Sequence, residues 1–206
     1  MKNPWEKVSL SDYESHMSLD SIMQLQTLNV MMKRQFRIAQ FESIMILGIA
    51  GGNGLEHITP DICRKVYGVD INKDYLKACS ERYPELKNIL ECICADLTDP
   101  DINLPSAELV TADLLIEYIG YKNFTRIIRR VRPDYISCII QVNTGTEFVS
   151  DSPYIHAFDG IENVHHSIDE HGLSSVLAAE NYTILSRYEE KTPNGKKLVQ
   201  LDFKAL

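Results

Sequence analysis

The sequence predicts an α/β protein: a mostly parallel sheet with helices on both faces, closed at one edge by an antiparallel hairpin. Two observations carry this expectation. Strand-like apolar runs at residues 44–49, 65–70, 89–94, 108–112 and 135–143 alternate with helix-compatible or loop stretches, and strands that alternate with helices build parallel sheets. Two further β-rich runs, 182–190 and 197–203, are joined around Thr192-Pro193-Asn194-Gly195, where Asn-Gly is a strong hairpin signal. A chain of 206 residues with 44% hydrophobic content is long enough for one domain, taken as residues 1–206, with a substantial core.

From the N-terminus onward, MKNPWEKVSL lacks the apolar centre of a signal peptide, and no apolar run reaches membrane-spanning length. A cytoplasmic protein with no membrane partner is therefore expected. Residues 18–41 space Leu19, Ile22, Met23, Leu25, Leu28, Met31 and Met32 three and four apart, which predicts an amphipathic helix ahead of the first strand. Residues 1–41 then form a helical arm on the same domain. Cys92 and Cys94 alternate along the third strand and share a face, so they read as small buried residues. Five cysteines at irregular spacing suit a reducing compartment, and with no C-x-x-C spacing no metal centre is expected. The basic run RIIRRVR, 126–132, has the spacing of a solvated helix face that ends in cations. A net charge of -8 argues against nucleic acid as a partner, because such binding draws on Lys and Arg against phosphate. The oligomeric state is not legible.

The chemistry concentrates at strand ends. IMILGIAGGNG, 44–54, passes from a strand into a glycine-rich turn and is followed by GVDIN, 68–72. Glycines let a ligand approach the backbone where a Cβ would collide, and Asp70 at the mouth of the next strand is placed to accept from vicinal ribose hydroxyls. This pattern resembles motif I of the class I S-adenosylmethionine-dependent methyltransferases, an acidic residue followed by x-Gly-x-Gly-x-Gly. Gly48 takes the acidic position, Ala50 the first glycine, and Gly52 and Gly54 the other two, so two of four positions depart. The resemblance extends from about residue 44 to the end. It implies a Rossmann-like sheet of order 3-2-1-4-5-7-6, S-adenosyl-L-methionine as cofactor, and methyl transfer to a small-molecule acceptor. A binding protein that keeps the pocket without catalysis is the competing class.

The resemblance also implies roles for single residues. Asp70 and Ile71 border the ribose; Asp96 and Leu97, in Cys94-Ala95-Asp96-Leu97, border the adenine, although Asp96 equally suits a cap at a strand end. In ELVTADLLIEYI, 108–119, Asp113, Glu117 and Tyr118 face cofactor and acceptor, the alternative for the two acids being a shared, solvated helix face. In the arm, Tyr13 and His16 are three residues apart and would close over the site as a lid, while Trp5 serves either the site or the attachment of the arm. From 133 through 186 there is no Lys or Arg, while Asp134, Glu147, Asp151, Asp159, Glu162, Asp169, Glu170 and Glu180 fall inside with His156, His165, His166 and His171. That region reads either as an acidic helix surface or as an acceptor pocket suited to an amine. Of the adjacent His165 and His166 at most one is expected to face inward, and His165 joins Tyr13, His16 and Glu117 as a candidate catalytic residue.

Overall fold

The computed structural model describes residues 3–142 and 149–206. Among them, seven strands form one sheet in the order β3-β2-β1-β4-β5-β7-β6. The strands β1 (Ser43–Leu47), β2 (Lys65–Asp70), β3 (Leu90–Cys94), β4 (Leu109–Asp113) and β5 (Tyr135–Val142) are parallel. At the far edge β7 (Lys197–Ala205) runs antiparallel to β5, and β6 (Tyr182–Lys191) antiparallel to β7. The expected fold class and strand order are thus observed. Asn143, at the end of the expected fifth strand, and Glu147, in the acidic run, lie outside the described residues.

The central strands are largely apolar because both faces are covered. On β1, Met45 and Leu47 enter one core, closed by Phe124, Ile127 and Ile128 of α4 (Ile116–Val131) and by Leu173 and Leu177 of α5 (Glu170–Ala178). Ile44 and Ile46 enter the other, closed by Leu28, Met31 and Met32 of α2 (Gln24–Gln35), by Leu76 and Cys79 of α3 (Lys73–Arg82), and by Met17 of α1 (Leu10–Ser18). The strand order reverses between β1 and β4, and the crevice outside the carboxyl ends of strands at such a point is where ligands bind in open parallel sheets.

Four expectations need correction. The helix expected over 18–41 is shorter, α2 over Gln24–Gln35: Ser18 ends the separate α1, Met23 sits in the left-handed region at φ 50 ahead of α2, and the chain turns between them through bonds from the Ile22 and Met23 amides to the Leu19 carbonyl. Cys92 is half-buried and Cys94 exposed, because β3 is an edge strand and its outer face is left uncovered. The basic run does more than face water. Arg126 donates to the carbonyls of Leu97, Thr98 and Asp99, and Arg130 to those of Pro100 and Ile102, so α4 clamps the loop after β3. Asp113 ends β4 rather than opening a helix, since α4 begins only at Ile116.

Candidate active site

The glycine-rich turn leaves β1 at Gly48 and needs left-handed backbone repeatedly: φ is 70 at Gly48, 47 at Ala50, 86 at Gly52 and 85 at Gly54. Ala50 therefore keeps the conformation of the glycine it replaces, at a cost that an L-residue carries and glycine does not. Gly48 and Ala50 line a cavity of about 600 Å³, a typical size for a small-ligand site. Gly52 and Gly54 do not line it. A Cβ on Gly52 would meet Cys79 Sγ at 2.8 Å, and one on Gly54 would meet Met32 Sδ at 2.7 Å, so these two serve the packing of the turn against α3 and α2.

Asp70 is 8% exposed on the cavity wall. Its Oδ2 accepts from the Ala50 amide at 2.9 Å and its Oδ1 from the Asn72 amide at 2.9 Å. The carboxylate is thereby fixed against the turn and retains lone pairs for further donors. Burial raises its pKa and these amide bonds oppose the rise. Ile71, Asp96 and Leu97 continue the wall. Asp96 Oδ1 accepts from the Thr98 amide and hydroxyl at 2.8 and 2.7 Å: the capping role is real, and it occupies only that oxygen.

Asp113 and Glu117 both border the cavity. The register pairs Leu47 with Ala112, which brings Asp113 beside Gly48, the position where motif I has its acid. Asp113 Oδ1 accepts from Gln35 Nε2 at 2.7 Å, while Oδ2 is buried with no protein partner. Burial pushes its pKa up to about 7, with Asp202 and Glu117 adding to the rise. Glu117 is 6% exposed; Oε1 accepts from the Gln141 amide at 2.9 Å and Oε2 is buried without a partner. Burial likewise pushes it to about 7. Between these acids Leu114 stands at φ 51, the sort of backbone strain that collects at functional sites. At Gly120 (φ 73) α4 is kinked, and a Cβ there would meet the His166 ring at 3.2 Å.

The arm covers the cavity. Asn72 Nδ2 donates to the carbonyls of Trp5 and Val8, and Arg82 grips both Glu14 oxygens at 2.6 and 2.9 Å while donating to Gly51 O at 3.0 Å. Arm, glycine turn and α3 are fastened at one point. Tyr13 and His16 both line the cavity, as expected of two residues three apart on α1. The Tyr13 pKa is raised by burial, then by the Asp70, Glu14 and Asp113 charges. His16 is buried with Nδ1 2.7 Å from Ser152 Oγ, and burial followed by the nearby Lys196 ammonium lowers its pKa. Trp5 packs at 4.8 Å from Tyr118 and 6.3 Å from Phe158, and it lines the cavity.

His165 and His166 both border the cavity, where at most one was expected, because their segment runs along the rim and the His166 amide bonds to Glu117 O at 2.6 Å. Burial, His166 and Lys196 lower the His165 pKa. Of the described carboxylates in the acidic run, Asp169 alone reaches the wall, and there it caps α5 through the Gly172 amide. The others belong to the surface reading: Glu180 pairs with Arg129 and Glu170 with Arg187. The sequence reading missed Gln35, although a Gln continuing the stripe of Leu28, Met31 and Met32 is a legible sign of a buried polar role. It also missed Arg82 and Phe158, whose positions depend on tertiary packing. No group of three potential metal ligands occurs among the described residues.

A family profile described as a methyltransferase domain matches residues 46–134. No curated protein matches the chain in sequence. Among solved structures, the N-methyltransferase NodS from Bradyrhizobium japonicum WM9, in complex with S-adenosyl-L-homocysteine, is similar with a TM-score of 0.68 at 10% identity over 99% of each chain. Magnesium protoporphyrin IX methyltransferase (ChlM) from Synechocystis PCC 6803, with bound SAM, gives 0.62 at 10% identity over 98% of this chain and 90% of that one. The [4+2]-cyclase SpnF gives 0.66 at 10% identity over 89% and 82%. At such identities the likeness is one of fold. Residues 46–134 thus match a methyltransferase-domain profile, and the sheet order and fold are those of the solved S-adenosylmethionine-dependent methyltransferases that the chain resembles.

Proposed function

We propose that the protein binds S-adenosyl-L-methionine and transfers its methyl group to a small-molecule acceptor. The observation that carries this is one cavity bordered at successive strand ends by the Gly48–Ala50 turn, Asp70, Asp96 and Asp113. The residues fit the cofactor. Asp70, pre-set by two backbone amides, receives the ribose diol; Ile71 flanks it. The free Asp96 oxygen and the Leu97 backbone face the adenine. Asp113, with its unpartnered Oδ2 beside Gly48, supplies the carboxylate that motif I lacks and holds the cofactor's amino group.

Once bound, the cofactor brings a sulfonium methyl already activated for in-line displacement, so the protein's tasks are positioning and exclusion of water. Tyr13 and His16 on the arm, Glu117 and His165 on the rim, surround the acceptor side. The arm acts as a lid, and a covered cavity of this size favours a small acceptor over a polymer such as nucleic acid. ChlM, named for magnesium protoporphyrin IX, supports a small acceptor by analogy of fold.

The test is incubation with methyl-labelled cofactor and a metabolite extract, followed by mass detection of labelled product and S-adenosyl-L-homocysteine. A non-catalytic cofactor-binding protein is the second reading, favoured by the two departures from motif I. Its signature is binding of both cofactor forms without turnover across the extract.

A further inference from the structure

We propose that the acceptor is an amine, bound as its ammonium ion against Glu117 in a cage of aromatic rings. This rests on the cofactor reading above and names the acceptor class for the same site.

Two carboxylates border the cavity with one oxygen each unsatisfied, Asp113 Oδ2 and Glu117 Oε2. A buried carboxylate oxygen without a donor is costly unless a ligand supplies one. The cofactor offers a single ammonium, and Asp113, beside Gly48, is the nearer of the two to the glycine turn. Glu117 stands towards β5, where Gln141 holds its Oε1, and is left without a cationic partner. The described wall contains Asp70, Asp96 and Asp169 besides these two acids, and no Lys or Arg. The same cavity wall carries aromatic rings, one of them on Tyr118 next to Glu117: Trp5 packs edge-on against Tyr118 at 4.8 Å, His165 against Tyr118 at 5.9 Å, and Phe158 against His16 at 4.7 Å. Aromatic faces favour cations, and a desolvated cation gains most from them. The Lys196 charge bears on His16 and His165, whereas the causes acting on Glu117 are its burial and backbone hydrogen bonds.

The chemistry follows from the same group. An ammonium nitrogen has no lone pair, so one N–H bond breaks and its proton passes to the Glu117 carboxylate, which burial has made a better base than an exposed one. The freed lone pair forms the N–C bond as the C–S bond breaks, and sulfur keeps the electron pair as a neutral thioether. The product leaves as the methylated ammonium, and Glu117 returns its proton to water when the arm opens.

The experiment measures binding to the full chain saturated with S-adenosyl-L-homocysteine, by calorimetry at pH 8, for matched probes: benzylamine against benzyl alcohol, and cyclohexylamine against cyclohexanol. Each amine is expected to bind at least tenfold more tightly than its alcohol. In Glu117→Gln, which keeps shape and removes charge, that ratio should fall towards one while the affinity for S-adenosyl-L-homocysteine stays within twofold. Equal binding of amine and alcohol by the wild type, or a ratio unchanged in the variant, overturns the amine assignment and leaves cofactor binding standing. Failure to bind S-adenosyl-L-homocysteine overturns the cofactor reading and the assignment with it.

Discussion

Replacing Glu117 by Gln should stabilise the ligand-free protein at pH 8 by several times as much as at pH 5. In the fold this carboxyl titrates near 7 instead of 4.5, with burial as the first cause. A carboxyl whose folded pKa is raised contributes its stability below the unfolded pKa, and that contribution is lost as pH rises through the folded value. The gap between 4.5 and about 7, at 1.36 kcal/mol per tenfold change in proton affinity, amounts to roughly 3 kcal/mol lost by pH 8. Gln resembles the protonated acid: its oxygen can still accept from the Gln141 amide, and its NH2 takes the unpartnered place of Oε2. For a chain of this length roughly 3 kcal/mol corresponds to a gain of about 6–12 °C in Tm at pH 8. Asp113 adds in the same direction, because Glu117 helps raise its pKa. His16 and His165, whose pKa values are lowered, act oppositely and favour the fold as pH rises through 6.5; Lys196, His166 and Tyr118 also face this region. These contributions are shared by both proteins and largely cancel in the difference. Thermal and urea unfolding at pH 5, 6, 7 and 8 decide the matter. A difference between variant and wild type that does not change with pH would refute the placement of Glu117 as a buried, raised carboxyl.

Three further outcomes follow. Asp70→Asn should weaken S-adenosyl-L-homocysteine binding by about tenfold to a hundredfold and also lower Tm, because its NH2 must face either the Ala50 or the Asn72 amide; calorimetry showing wild-type affinity would remove Asp70 from the site. Ala50→Gly should hold or raise the stability, by at most about 1 kcal/mol, since glycine adopts φ 47 freely but loses more entropy on folding, and a clear loss of stability in urea unfolding would contradict the strain at that turn. Arg82→Ala removes the bonds to Glu14 and Gly51 and should cost under about 1 kcal/mol as a surface pair, yet abolish the ligand-dependent hydrogen-exchange protection of residues 10–18. Wild-type protection in that variant would separate the arm from the glycine turn.

Sheet and strand ends were legible because alternation and turn chemistry are local. Residues 65–70 coincide with β2, and the Gly195 amide bonds to the Thr192 carbonyl in the turn expected between the last two strands. The break between α1 and α2 was not, because Leu19, Ile22 and Met23 continue the helical spacing and only the left-handed Met23 interrupts it. The burial of Cys92 and Cys94 failed for a topological reason, since a strand's position at the sheet edge is set by partners far away in sequence. In the site, Asp70 announced itself through its place after a strand. The double orphaning of Asp113 and Glu117 depends on Gln35 from α2 and Gln141 from β5, contacts that no local pattern contains. The clamp of Arg126 on the Asp96 loop was hidden for the same reason: its spacing is that of any solvated helix face.

The central claim is that these strand ends hold S-adenosyl-L-methionine. Calorimetric titration of the purified full chain with S-adenosyl-L-homocysteine tests it most directly, because the product form binds without needing an acceptor. One site per chain is expected, with Asp70→Asn binding at least tenfold more weakly. No heat of binding in the wild type, with the protein folded by circular dichroism, would contradict the account.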